Sequence, residues 1–194
     1  MVQSGVTVTY FGLHARAETA RCLLHCAGVE FTNEEISQEA WPEIKNSGRM
    51  PFGSMPLITC DGIPMNQSKA AGRALAIKYG FYSTDPKIIH AIDSLFDYDQ
   101  EISLGKITGY AFDPAKDDTK NDEWVAAWKK KGDLYENRFN GHGKPWIAGT
   151  DKPTIADISI ASHYLCNVYN DQSAFGALNQ RVKDEVLSTQ PKLK

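Results

Sequence analysis

Every strand signal in this chain falls within its first 66 residues, and that asymmetry constrains the fold more than any other feature of its 194 residues. Val6-Thr7-Val8-Thr9-Tyr10 alternates strictly and is rich in β-branched residues, the pattern of a strand. After a loop at 11–14, residues 15–27 carry Ala17, Ala20, Leu24 and Ala27 at helical spacing, and Gly28 is a suitable stop. Val29-Glu30-Phe31 opens a second strand that runs to Ile36. Strand, helix and strand in this order form the unit of a parallel pair joined by a right-handed crossover. Residues 41–46 read as a short helix or turn. Pro56-Leu57-Ile58-Thr59-Cys60 and Ile63-Pro64-Met65 flank Asp61-Gly62, a strong hairpin signal. Residues 67–79 are helical in composition and Gly80 closes them.

Beyond a linker-like stretch at 80–86 the strand signals stop. In residues 87–110, Ile88, Ala91, Ile92, Leu95, Phe96 and Ile102 recur at three and four, the period of a long helix. Residues 113–121 are a polar, charge-rich break. A second long helix is expected over 123–139, with Trp124, Val125, Trp128, Leu134 and Tyr135 apolar. Thr154-Ile155-Ala156-Asp157 ahead of Ile158 and Ile160 is a capping box in its Asp form, fixing a helix start inside the second half. An amphipathic stretch around 175–187 ends the pattern. The expected architecture is an α/β N-terminal domain at 4–82, in the β-α-β then β-β-α order that resembles thioredoxin-like domains, and an all-α C-terminal domain at 83–194.

Charge and cysteine usage exclude several function classes. Lys and Arg number 21 against 24 Asp and Glu, a net charge of −3, so the basic excess expected of a nucleic-acid or anionic-membrane binder is missing. No uncharged stretch approaches the roughly 18 residues of a membrane span, and residues 1–5 lack the basic start and apolar run of a signal peptide. Cys22, Cys26, Cys60 and Cys166 form no Cys-x-x-Cys, and the five histidines do not cluster at zinc spacing. Reduced thiols, a cytoplasmic setting and no metal are expected. Cys22 and Cys26 share a helix face and read as small core residues. Lys129-Lys130-Lys131 reads as a solvated helix face.

Tyr10-Phe11-Gly12-Leu13-His14-Ala15-Arg16-Ala17-Glu18 resembles the Tyr-Phe-x-x-x-Gly-Arg-Ala-Glu opening of glutathione transferases, the sigma class in particular. The resemblance continues at Trp41-Pro42-Glu43-Ile44-Lys45, Pro51-Phe52-Gly53-Ser54-Met55-Pro56, Gln67-Ser68, and Ile147-Ala148-Gly149 followed by the capping box. Each motif alone is weak, but five in order span nearly the whole chain. The resemblance implies a homodimer of glutathione transferase fold, with glutathione as co-substrate and a small electrophile as its acceptor, in a cytoplasmic detoxification reaction. Two departures stand out. Ala15 replaces the family's Gly, and an Ala there demands ordinary backbone angles. Thr108 stands where prostaglandin D synthase-type members carry a tryptophan.

The chemistry at these positions can be argued directly. A free thiol of pKa about 8.5 is only a few per cent thiolate at neutral pH, and lowering it by about two units takes roughly 2.7 kcal/mol. One charge-assisted hydrogen bond supplies about 1.5–3 kcal/mol and a nearby helix N-terminus about 0.3–1. A hydroxyl ending the first strand just before the first helix supplies both, and Tyr10 stands there. By resemblance Tyr10 donates to the glutathione sulfur, and Arg16 braces the tyrosine or the sulfur electrostatically. Met55, before a cis Pro56, pairs its backbone with the cysteinyl residue in the manner of an added strand. Gln67 and Ser68, at a helix N-terminus, cradle the γ-glutamyl carboxylate. Trp41 and Lys45 meet the glycyl end, and Glu101, with Asp97 as alternative, reaches the γ-glutamyl ammonium from the partner subunit.

Blander roles compete with each assignment. Tyr10 could be a half-buried aromatic, Gln67-Ser68 a cap, Trp41 a core anchor, Lys45 a surface charge and Arg16 an ion-pair partner. Two other functions share the same residues: a glutathione-dependent isomerase or peroxidase, and a non-enzymatic member kept as a structural or assembly protein. The loop at 11–14 holds no Cys or Ser, which argues against a glutaredoxin-like thiol–disulfide enzyme.

Overall fold

The alternating segment at the start of the chain is a strand, β1 (Val6–Phe11), with Val6, Val8 and Tyr10 buried. The computed structural model describes residues 5–107, 110, 117–173 and 175–193, and the chain divides into two compact units, Met1–Tyr82 and Ser83–Lys194. In the first unit a 3-10 turn (Ala15–Ala17) leads into helix α1 (Glu18–Cys26) and then β2 (Thr32–Ile36). A short helix α2 (Trp41–Asn46) precedes the hairpin β3 (Leu57–Cys60) and β4 (Ile63–Asn66), and α3 (Ser68–Tyr79) follows. The sheet order is β2-β1-β3-β4, with β1 and β2 parallel and the other two pairs antiparallel. This is the thioredoxin-like arrangement. Helices α1 and α3 pack on each other, burying Leu23, Leu24, Ala71 and Leu75. Asp61 and Gly62 both take positive φ, 52° and 78°, as a two-residue type I′ hairpin requires.

Local expectations fail where another bond claims the backbone. β2 starts at Thr32 rather than Val29, because the Val29 amide donates to the Leu24 carbonyl at 2.9 Å and closes α1 instead of joining the ladder. The core stripe of α1 runs through Thr19, Ala20, Leu23 and Leu24. Cys22 and Cys26 flank that stripe, so Cys22 is half-buried and Cys26 is exposed, not a core residue. Burial and the adjacent Glu18 carboxylate push the Cys22 thiol up to about 12. None of the four cysteines is in a disulfide among the described residues.

Among the described residues of the second unit every regular element is helical. Helix α4 (Pro86–Ile102) starts with Pro86 in its first turn and Asp85 as its cap, the carboxylate accepting from the Lys87 amide at 2.8 Å. Its regular hydrogen bonding gives way to a π turn at Ser103–Ile107, so the long period continues past the α-helix itself. Helix α5 (Asp118–Asn140) begins five residues before the expected start at 123, because the Asp117 carboxylate accepts from the Lys120 amide at 2.9 Å and caps it within the polar break. Leu134, counted as apolar helix face, is 39% exposed. Helix α6 (Ile155–Asn167) starts at the capping box, where the Asp157 carboxylate accepts from the Thr154 amide at 2.8 Å and the Ile147 amide at 2.9 Å. Asp157 therefore ties the preceding loop to the helix as well as capping it. Helix α7 (Gly176–Arg181) and a π turn at Val182–Val186 follow. Thr108 lies outside the described residues.

The lysine run is the largest surprise. Lys129 and Lys130 are exposed, but Lys131 is fully buried. Positions 124, 128, 131 and 135 share one helical stripe, which places Lys131 between Trp128 and Tyr135 in the core. Its ammonium is 2.8 Å from Asp99 Oδ1 and donates to Ser103 Oγ at 2.6 Å. It also lies 4.8 Å from the centre of the Trp128 ring, within cation–π range. No helix of the described residues is long and apolar enough to cross a membrane.

Candidate active site

The sheet register gathers most of the expected site at one end of the first unit. Thr9 faces Leu57 across β1 and β3, and Leu57 faces Asn66 across β3 and β4. Continuing that register sets Tyr10 beside Pro56 and Phe11 beside Met55, with Gln67 and Ser68 leaving the end of β4 next door. β2 ends at the same edge, since Phe11 faces Ile36, and α2 follows it.

Tyr10 is 6% exposed. Burial pushes its phenol above the ordinary value, against the backbone hydrogen bond from Arg16 and the charges of Arg16 and Arg21, which pull it down. The hydroxyl therefore keeps its proton at neutral pH. A protonated hydroxyl retains one hydrogen to donate whatever its oxygen accepts. The Arg16 side chain is exposed. A second cation, unforeseen in the sequence, sits over the ring: Arg21 Cζ lies 6.0 Å from the Tyr10 centroid. Arg21 also donates to the Leu13 carbonyl at 3.1 Å, to Glu18 at 3.0 Å and to Asn33 at 2.8 Å, which ties the loop after β1 to α1 and β2.

Presenting the Arg16 amide in this way strains the chain at Ala15, whose φ is +77°. The expectation of ordinary angles there is wrong, because the turn from β1 into α1 demands a left-handed residue whatever its side chain. An L-residue at such an angle costs about 1–2 kcal/mol. Ala15→Gly is expected to raise stability by about 1 kcal/mol once the added freedom of the unfolded chain is counted. A lowered midpoint in chemical denaturation would overturn this.

The remaining residues surround the same edge. Trp41 is half-buried and meets Phe11 edge to face, centroids 5.8 Å apart, while Phe11 in turn contacts Tyr10 at 5.7 Å. Lys45 is exposed one turn further along α2 and runs beside Gly53, where a β-carbon would lie 3.8 Å from its Cε. The Met55–Pro56 peptide is cis. Among the described residues no internal hydrogen bond engages the Met55 amide or carbonyl, which leaves an open strand edge able to pair with an extended peptide. Gln67 is exposed with φ 64° and ψ 100°, and its side chain makes no capping bond to α3. Strain of this kind collects at functional sites, and here it turns the first amides of α3 outward beside a half-buried Ser68, a cradle for an anion. The capping role that competes for Gln67 is absent.

Glu101 is the exception. It is exposed on α4 and belongs to the second unit, whereas the other candidates belong to the first. Asn66 was missed altogether: a polar residue ending a short strand carries no signal, yet its buried amide bonds the Phe52, Ser54 and Pro56 backbone.

No family model matches the chain. It is 34% identical over 161 residues to probable glutathione S-transferase 6 of Caenorhabditis elegans, covering 80% of this chain and 77% of that one. It is 32% identical over 160 residues to a glutathione S-transferase of Anopheles gambiae, covering 79% and 75%. Among solved structures, a glutathione S-transferase of the hookworm Necator americanus, described as monomeric, superposes with a TM-score of 0.72 at 27% identity over 97% of this chain and 93% of that one. By these identities and coverages, carried on a thioredoxin-like sheet with a helical second unit, the chain belongs to the glutathione S-transferase family and is a transferase enzyme.

Proposed function

We propose that this chain binds glutathione extended along Met55 and holds its thiol as an anion through the Tyr10 hydroxyl, for attack on small electrophilic molecules. The observation that carries this reading is a buried phenol ending β1 beside the cis Met55–Pro56 turn. The phenol keeps one O–H to donate, and it stands at the sheet end where the open Met55 backbone lies.

Each further residue then has a task. Met55 supplies an amide and a carbonyl to the cysteinyl backbone. The strained turn at Gln67 and the Ser68 hydroxyl take the γ-glutamyl carboxylate, and Lys45 offers a point charge to the glycyl carboxylate while Trp41 covers it. Arg16 and Arg21 add positive potential near the sulfur. Glu101, with Asp97 as alternative, would serve the γ-glutamyl ammonium across a homodimer interface. Tyr-type activation gives the site its sigma-like character. Free thiols fit a cytoplasmic setting, where conjugation would serve detoxification, and isomerase or peroxidase chemistry would draw on the same anion. No step of the reaction asks for a metal.

Retention on immobilised glutathione together with turnover of chlorodinitrobenzene is the expected result. Retention without turnover would transfer the chain to the structural or assembly role, and loss of both would remove the site.

A further inference from the structure

We infer that Asn66 is the positioning residue of the glutathione-binding turn, aiming the Met55 amide by clamping the carbonyls of Ser54 and Pro56 with one side-chain NH2 group. This rests on the glutathione reading above and deepens it. Asn66 ends β4 and is 7% exposed. Its Nδ2 donates to the Ser54 carbonyl at 3.0 Å and to the Pro56 carbonyl at 2.8 Å, and its Oδ1 accepts from the Phe52 amide at 3.2 Å. Residues 52–56 form no regular structure, so these three bonds link the turn to the sheet.

Peptide planarity converts those bonds into a direction. The Ser54 carbonyl and the Met55 N–H belong to one trans peptide unit, and in such a unit the two groups point opposite ways. Drawing the Ser54 oxygen inward to Asn66 therefore turns the Met55 amide outward, to where an extended ligand would meet it. The Pro56 carbonyl, held by the same nitrogen, fixes the other flank of the cis bond. Asn suits this task through its two donors on one atom with an acceptor beside them on a short arm. Ionised Asp has no donor, Ser and Thr have one, and Gln is a methylene too long.

The test uses the full chain with two substitutions, Asn66→Asp and Asn66→Thr, the second carrying no charge should the first fail to fold. Leu24→Ala, a buried change on α1, serves as a destabilised control. The expected result is a tenfold or larger rise in KM for glutathione and in the dissociation constant of S-methylglutathione, with kcat at saturation within about twofold of wild type, because Tyr10 is untouched. The control should lose thermal stability with KM unchanged. If the Asn66 variants behave like the control, Asn66 only staples the fold and the inference fails alone. If wild type itself binds no S-methylglutathione, the glutathione reading fails with it.

Discussion

Tyr10→Phe raises the pKa of the bound glutathione thiol by one to two units, equivalent to about 1.4–2.7 kcal/mol of lost preference for the anion. Burial favours the protonated phenol, so under the proposed function its hydrogen is the group that discriminates thiolate from thiol. Removing one oxygen atom leaves the Met55 edge, the Gln67-Ser68 turn and the Lys45 charge in place, and glutathione affinity should stay within about twofold. Below the shifted pKa, turnover should fall by roughly 10- to 100-fold and recover as pH rises, because the variant needs alkali to form the thiolate that the wild type forms near neutrality. The ultraviolet absorbance of the thiolate, followed against pH in the binary complex, reads the shift directly. An unchanged titration would remove Tyr10 from the chemistry.

Lys131→Met should destabilise the second unit by about 3–5 kcal/mol, the cost of stranding a buried charge, and lower its thermal midpoint by roughly 10 °C. Asp99 is fully buried and accepts from Tyr135 at 2.9 Å, from Ser159 at 2.5 Å and from the His163 ring at 2.7 Å, with Lys131 as its ion-pair partner. Burial alone would raise its carboxyl, but the charges of Lys131 and His163, with their hydrogen bonds, hold it well below the usual carboxylate range. A carboxyl depressed in the folded state stabilises above its unfolded value of about 3.9 and loses that contribution as pH falls. Wild type and variant should therefore differ most above about pH 5, and the gap should narrow in acid as Asp99 takes up a proton. The double variant Asp99→Asn with Lys131→Met should regain at least half of the loss, since a neutral amide needs no counter-charge. Equal midpoints for wild type and Lys131→Met would show that Lys131 is not the charge that sustains Asp99.

Both predictions concern residues that the chain's pattern revealed unequally. Tyr10 was legible because strand alternation, the turn into α1 and the companion motifs all place a hydroxyl at one spot. The α3 start and the capping box at Asp157 were legible for the same reason, since each is set by residues within a few positions of itself, while the cis turn was implied by the family resemblance. Lys131 was misread because a run of three lysines was weighed as composition, while its place on the stripe through Trp124, Trp128 and Tyr135 was not. Its counter-charge stands 32 positions earlier on another helix, and no local rule connects them. Ala15 was misread because a side chain was taken to dictate its backbone, where the turn does so. Asn66 left no trace, because its three partners are backbone groups, and every residue has those.

From its order of residues alone, this protein was bound to place a strand–helix–strand unit and a hairpin ahead of an all-helical half, because periods of two and of three to four are local properties of the chain. The direction of the Met55 amide, the strain at Ala15 and Gln67, and the pairing of a buried lysine with a buried aspartate were settled only on folding. Each depends on groups brought together across the sheet or between helices, and the desolvation that makes those contacts strong exists only once the core has closed.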